Sequence, residues 1–250
     1  MLAQPRRQPG TLEPRSKRDA RAGQILDTAA ILIQRWGYNK TTVDDIARHA
    51  GVAKGTIYLH WKTREDLFVA LFAREEVRLA EDIKQRIAGD PDSPALRGFA
   101  THTTLAFMNN PLMRAVLLND TEVLGVWANR ELKSAAFAGR MAGYNVFLEF
   151  LRAHGVVATD IDARAQTYIL SAVWMGFLLV DRWMPPGYTF SDEDVAAMLA
   201  GTVERALAPR EPAAGATTET ITVRTITDAF NRYIDQEVDA LKALQEEAAV

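Results

Sequence analysis

The segment Thr41-Thr42-Val43-Asp44-Asp45-Ile46-Ala47-Arg48-His49-Ala50-Gly51-Val52-Ala53-Lys54-Gly55-Thr56-Ile57-Tyr58-Leu59-His60-Trp61 leaves this chain little choice of local fold. It reads as two short helices joined by a tight turn. Thr41 or Thr42 can cap the first helix, and Asp44 and Asp45 suit its positive N-terminal end. Ile46 and Ala50 share one face, and Ala47 is small enough to let a second helix pass close by. Gly51 falls where the turn needs a positive φ, which glycine adopts without steric cost. Val52 and Ile57 then pack back onto the first helix. Apolar, small and glycine residues at these offsets meet the requirements of a helix-turn-helix. Its second helix would present Lys54, Gly55, Thr56 and Tyr58 outward. A cation, a bare backbone, a hydroxyl and a phenol suit contacts with phosphates and base edges in a DNA major groove.

The rest of the chain reads as helix throughout, so an all-α fold is expected. Residues 1–18, rich in arginine and proline, form a basic tail with too little apolar surface to order itself. From about Asp19, Ile25, Ala29, Leu32, Ile33 and Trp36 fall at helical spacing, with Gly37 as the stop. Thr63-Arg64-Glu65-Asp66 has capping-box form and opens a long helix ending at Gly89-Asp90-Pro91. Ser93-Pro94 starts a helix to Asn109-Asn110, and Pro111 starts a short one to about Leu118. A longer stretch covers Glu122–His154, with a break near Ala128–Arg130 and a stop at Gly155. Thr159-x-x-Asp162 caps a helix ending at Pro185-Pro186-Gly187, and Ser191-x-x-Asp194 caps one reaching about Leu207. Residues 209–218 look like a linker. Beyond it, Ile226, Phe230, Ile234, Val238, Leu241 and Leu244 mark an amphipathic helix whose start is open, since Thr220–Thr227 also suits extended chain. The expected units are therefore a tail (1–18), a helix-turn-helix domain (19–66), a larger helical domain (67–208), and a linker with a C-terminal helix (209–250).

Charge is divided along the chain. Residues 1–66 hold 12 Lys/Arg against 7 Asp/Glu, a net of +5, whereas residues 67–250 hold 17 against 25, a net of -8. A basic quarter on an acidic remainder is the asymmetry expected when only one end meets a polyanion. The absence of cysteine excludes disulfides, thiolate metal sites and thiol nucleophiles, and suits a reducing cytoplasm. The longest apolar run, Tyr168–Val180, has 13 residues, short of the roughly 20 that a membrane span needs. No phosphate-binding glycine loop, HExxH or G-x-S-x-G elbow is present, and the four histidines are scattered. Neither enzyme chemistry nor a cofactor or metal is expected.

Asp27-Thr28-Ala29-Ala30, Gly37-Tyr38, the helix-turn-helix segment and Lys62-Thr63-Arg64-Glu65-Asp66-Leu67 together resemble the DNA-binding domain of the TetR/AcrR family of transcriptional regulators. The resemblance spans about Ile25–Leu67. It implies a homodimer whose two such domains read the halves of a palindromic operator. A C-terminal domain would then dimerise and hold a small effector. It also implies that Lys54, Gly55, Thr56, Tyr58 and His60 face DNA, that Thr42 and Lys62 hold phosphates at helix starts, and that Trp61, Ile46, Ala47, Val52 and Ile57 are packing residues. Ala53 departs from the family, which often has serine or threonine there, so the second helix lacks a capping hydroxyl.

Between residues 93 and 184 large flexible or flat side chains abound, as the lining of an apolar or aromatic ligand site requires. Phe99, Phe107, Trp127, Phe137, Tyr144 and Trp174 are the candidate lining, with His102, Asn109 and Glu149 as possible polar contacts. His102 has no partner at metal-ligand spacing. By analogy with the family, Asp160–Met184 and Ser191–Leu207 would form the dimer interface, where Ala172, Val173, Gly176 and Leu179 suit close helix contact. The function expected is a ligand-responsive regulator, acting as a repressor released by a hydrophobic effector. The alternative is an effector-independent DNA-binding factor, constitutive or architectural.

Overall fold

In the computed structural model, residues 15–91, 93, 95–118, 120–125, 135–209 and 223–248 are described, and among them there is no β-strand. Their helices are α1 (Arg15–Trp36), α2 (Val43–Ala50), α3 (Lys54–Tyr58), α4 (Arg64–Gly89), α5 (Ala95–Met108), α6 (Pro111–Leu117), α7 (Thr121–Leu124), α8 (Ala135–Ala153), α9 (Ala163–Leu179), α10 (Asp192–Leu207) and α11 (Val223–Ala248). A 3-10 turn, Val180–Arg182, follows α9.

Helix α4 is the spine. Its 26 residues span about 39 Å at 1.5 Å per residue, and the Thr63–Asp66 capping box sets its start. Near that start Leu67, Phe68, Leu71 and Phe72 are buried, and farther along Leu79, Ile83 and Ile87 are. The first group shares a core with Ile25, Leu26, Ala29 and Ile33 of α1 and with Ile46 and Ile57 of α2 and α3. That core continues without interruption through α5 and α8 to α11.

Chain turns fix how α1 meets the rest. Gly37, at φ 78°, stops α1, and a Cβ there would come within 2.5 Å of the Glu122 carbonyl oxygen. Glycine is therefore required twice over, by conformation and by the close approach of α7. The Tyr38 N–H donates to the Val123 carbonyl at 2.7 Å across the same junction. At the start of the same short helix, Arg182 binds Asp120, the N-cap of α7, at 2.6 Å. Burial pushes the Asp120 carboxyl up, but the Arg182 hydrogen bond and the Val123 and Glu122 amides outweigh it and hold the group below its ordinary range.

Several boundaries differ from expectation. Helix α1 begins at Arg15, not Asp19, because Arg15-Ser16-Lys17-Arg18 contains no glycine or proline to stop it. The break expected near Ala128–Arg130 lies outside the described residues; the break that is seen comes at Gly125, where φ is 54°. Asp162, not Thr159, caps α9, its carboxylate accepting from the Arg164 and Ala165 amides. Arg152 occupies the intervening turn, donating to the Ile161 carbonyl at 2.8 Å and to Gln166 Oε1 at 2.6 Å. Helix α9 gives way to the 3-10 turn at Leu179, well before Pro185. The C-terminal helix covers Val223–Ala248, so the described part of the β-branched run, residues 223–227, is helical.

Helix α11 packs along α4 and also touches α5 and α8. Ile226, Ala229, Phe230, Ile234, Val238 and Leu241 are buried on its inner face; the Leu244 side chain lies outside the described ones. At its outer edge Lys84 Nζ meets Asp235 at 2.6 Å. An amphipathic helix of this kind is marginal alone in water and draws its stability from the surface it covers. Truncation after Pro209 uncovers the matching stripe of α4. It is expected to lower the melting temperature by several degrees or cause aggregation, as scanning calorimetry and light scattering would record. An unchanged melting temperature would contradict this packing.

Candidate nucleic-acid interface and effector cavity

The helix-turn-helix is built from its caps. Thr42 Oγ1 accepts from the Asp45 amide at 3.1 Å and donates to Asp45 Oδ2 at 2.6 Å, and the Thr42 N–H reaches the same oxygen at 3.3 Å. Gly51 ends α2 at φ 66°, and the Val52 amide then bonds the Ala47 carbonyl at 3.0 Å, turning the chain into α3. Helix α3 has Ala53 as its N-cap residue and no side-chain cap, as the departure at that position predicts. Ile57 and Trp61 are buried, and Val52 packs against the core from its edge.

On the outer side, Lys54, Gly55 and Tyr58 are exposed and Thr56 is half-buried. A Cβ at Gly55 would meet nothing within 4 Å, so the backbone there is open to a close-approaching ligand. Lys54 Nζ is held by Asp44 at 2.8 Å, and that hydrogen bond raises the lysine pKa. Lys62 is exposed immediately before the Thr63 cap of α4. His60 does not join this face. Helix α3 ends at Tyr58, Leu59 stays in right-handed helical conformation, and the turn carries His60 inward, to 7% exposure with its ring 5.3 Å from that of Trp61. Leu59, which the sequence reading passed over, takes the outward place.

Arg64, to which the sequence assigned only a place in a capping box, and Arg18, assigned to the basic tail, hold this unit together. Arg64 donates through Nε to the Thr41 carbonyl at 3.1 Å and through Nη2 to the Tyr38 carbonyl. Its guanidinium lies 4.1 Å from the Tyr38 ring centre and 4.6 Å from that of Phe68. Arg18, from the first turns of α1, reaches the Leu59 carbonyl at 3.3 Å. Contacts between residues 41 positions apart leave no mark in local spacing.

In the body, Phe99, Tyr144 and Trp174 do come together. With Leu96, Leu151 and Leu170 among their neighbours they line an apolar cavity of about 20 Å³ between α5, α8, α9 and α10. A drug-sized ligand needs roughly 300 Å³ or more, so this cavity is nearly closed. Trp174 Nε1 donates to Thr104 Oγ1 at 2.9 Å. Phe107 packs at the margin of the core and His102 turns away to Asp90 at 3.1 Å; neither lines the cavity. Glu149 is on the surface beside Arg152, and Asn109 lines a separate polar groove of about 290 Å³ between α1, α4 and the start of α6. Trp127 and the Phe137 side chain lie outside the described residues. Among the described residues no cluster of histidine and carboxylate groups can hold a metal, and no described helix is long and apolar enough to cross a membrane.

Residues 25–71 match the family of bacterial regulatory proteins, tetR family. The helix-turn-helix segment is thus similar to that of the tetR family. Over 68 residues it is 44% identical to the fatty acid metabolism regulator protein of Bacillus subtilis, an alignment covering 25% of this chain and 34% of that protein. It is 26% identical over 168 residues to the HTH-type transcriptional regulator AcrR of Shigella flexneri, covering 64% of this chain and 76% of the relative. The fold is similar to that of NalD of Pseudomonas aeruginosa, described as the secondary repressor of the MexAB-OprM multidrug efflux pump. That match has a TM-score of 0.54 and 19% identity and covers 79% of this chain and all of that one. These TetR-family relatives are regulators of transcription, not enzymes.

The capping box of α2 has a pH signature. The Thr42 hydroxyl, the Thr42 amide and the nearby Arg48 and His49 hold the Asp45 carboxyl below its ordinary range, against a smaller opposing effect of burial. A depressed carboxyl pKa contributes stability above its unfolded value and loses it as pH falls through the folded value. Thr42→Val is therefore expected to be less stable than the parent near neutrality, with the difference shrinking below about pH 4. Thermal melts of both proteins across that range check it, and a pH-independent difference would contradict the assignment.

Proposed function

We propose that this chain is a TetR-family ligand-responsive repressor that binds a palindromic operator as a homodimer and is released by a small hydrophobic effector. The observation that carries the DNA half of the reading is the outer face of α3: Lys54, Gly55, Thr56 and Tyr58 stand clear of the core beside Lys62. In this reading Lys54 leaves Asp44 for a phosphate or guanine, Gly55 admits the backbone, Thr56 and Tyr58 supply hydroxyls, and Lys62 and the start of α2 at Thr42 meet phosphates. Parting Lys54 from Asp44 costs little, because an ion pair this exposed is screened by solvent.

Apolar surface on and after α9 supports the dimer. Tyr168 is 77% exposed and Trp183 71%, and Tyr188, Phe190 and Met198 are also exposed. Ala172 and Gly176 stand on the exposed side of α9 as well, where they allow close helix approach. Surface of this extent calls for a partner. A second copy packed here through α9 and α10 would set the two α3 helices for neighbouring major grooves.

The effector half rests on the apolar lining around Phe99, Tyr144 and Trp174. The near-closure of that cavity favours the second reading, an effector-independent factor. The matched segment of the Bacillus subtilis fatty acid metabolism regulator covers 34% of that protein, so its printed role bears on the DNA-binding half alone.

In vitro selection from random DNA, followed by sedimentation of the complex, tests the first reading. The expected product is a palindrome with half-sites about one helical turn apart or more, bound by two chains. A monomer on an asymmetric site would overturn it. On the selected DNA, Lys54→Ala and Tyr58→Phe should each weaken binding by about 1–3 kcal/mol without loss of helix content. Tyr168→Arg should shift the protein toward monomers at low micromolar concentration, as sedimentation velocity would read.

A further inference from the structure

The apolar cavity is nearly closed, and the C-terminal helix, which contributes none of its lining, backs one of its walls. Phe99 of α5 and Phe147 of α8 line it on one side. Their rings also meet Phe230 of α11, with centroids 5.1 and 5.6 Å away, and they lie 5.2 Å from each other. Three rings from three helices thus form one cluster. Two belong to the cavity wall, and the third is carried by the helix that packs along α4.

One turn beyond Phe99, on the same face of α5, Thr103 is buried, and its Oγ1 has no hydrogen-bond partner among the described residues. Its neighbour Thr104 is fully engaged, donating to the Ala100 carbonyl at 2.7 Å and accepting from Trp174. Native interiors seldom keep an unpaired buried hydroxyl, since leaving a donor or acceptor unsatisfied is costly. Thr103 does not line the cavity itself; it lies one turn from Phe99 along α5, so its unfilled hydrogen bond belongs to the Phe230 side of that wall and not to the present void.

We propose that the Phe230 ring is a built-in occupant of the effector site. An effector with an aromatic-sized apolar body and one uncharged hydrogen-bonding group takes its place beside Phe99 and Phe147, bonds the Thr103 hydroxyl, and lifts α11 from α4. This rests on the effector-responsive reading above and adds to it the chemistry of the ligand and the element that moves. The cavity lining, Leu96, Ala100, Leu148 and Leu151 among it, carries no charge to pair with an ionised ligand, so a neutral one is selected. The Lys84–Asp235 ion pair between α11 and the body is partly solvent-exposed and holds α11 weakly, whereas Ile226, Phe230, Ile234 and Val238 are buried, so the apolar face provides most of the grip. Because α4 begins just after Lys62, release of α11 alters the support of the helix that carries the DNA-binding unit. A ligand shifts such an equilibrium only by its differential affinity for the two states, and here the difference is the vacated Phe230 position.

The test uses the full chain without DNA and two probes, 2-naphthol and naphthalene, which differ by one hydroxyl. Calorimetric titration is expected to show Phe230→Ala binding 2-naphthol at least about tenfold more tightly than the parent, because the occupant has been removed. Thr103→Val should abolish the preference for 2-naphthol over naphthalene. In the parent, saturating 2-naphthol should speed amide hydrogen exchange across residues 223–248. If Phe230→Ala does not fold, Phe230→Leu, which removes less volume, carries the same comparison. Unchanged affinity in the Phe230 variant, or binding to the parent with exchange in α11 unaltered, overturns the proposal. DNA is absent from these measurements, so a probe that lifts α11 yet leaves operator binding intact would defeat the effector-responsive reading alone.

Discussion

The guanidinium of Arg64 sits where the DNA-binding unit meets the body, and most of the architecture depends on what it holds. It binds the carbonyls of Tyr38 and Thr41, which bracket the loop into α2, and lies against the rings of Tyr38 and Phe68. Charge-assisted hydrogen bonds to carbonyls that α2 cannot itself satisfy fix the loop to the first turn of α4. Farther along, Arg74 reaches Asp27 at 3.0 Å and the Gly23 carbonyl at 3.1 Å, and both Arg74 and Arg78 bind the buried carboxylate of Glu75. Helix α1 is thus bolted to α4 at two levels. A displacement of α4 must carry the helix-turn-helix with it, because neither set of bonds can stretch without exposing buried polar groups.

The outer face of the helix-turn-helix, the proposed DNA-binding face, has its side chains placed but internally engaged. Lys54 is paired with Asp44, Arg48 with Asp45 at 2.5 Å, and the Thr42 hydroxyl with the Asp45 carboxylate. These exposed contacts organise the surface without committing much free energy. A polyanion can replace them one at a time, which keeps the cationic side chains from binding each other's neighbours permanently.

The body is arranged around aromatic side chains from distant parts of the chain. Phe99, Phe147 and Phe230 meet although 131 residues separate the first from the last. The same packing that shrinks the cavity to about 20 Å³ gives α11 its hold on the molecule. Phe99 and Phe147 thus serve both the cavity wall and the seat of the C-terminal helix.

Features set by neighbours along the chain were legible in the sequence: the capping boxes at Thr42 and Thr63, the cap at Ser191, the left-handed Gly51, and the split between the buried and outward faces of α2 and α3. Their causes, hydrogen bonds and side-chain periodicity within a few residues, are local. Phe99, Tyr144 and Trp174 line one cavity, because large apolar side chains at helical spacing must converge somewhere. His60 failed because whether the end of a five-residue helix faces out or in depends on how Trp61 seats in the core. Thr159 lost its place as a cap to Asp162 because Arg152, from another helix, organises that turn. His102 and Phe107 share α5 with Phe99, but only the positions of α8 and α9 decide which face of α5 borders the cavity. The sequence by itself determined the helices, their caps and the helix-turn-helix, since these need only short-range bonding. Tertiary structure alone decided the Arg64 bolt, the burial of His60 and the meeting of Phe230 with Phe99, because each depends on how distant segments share one core.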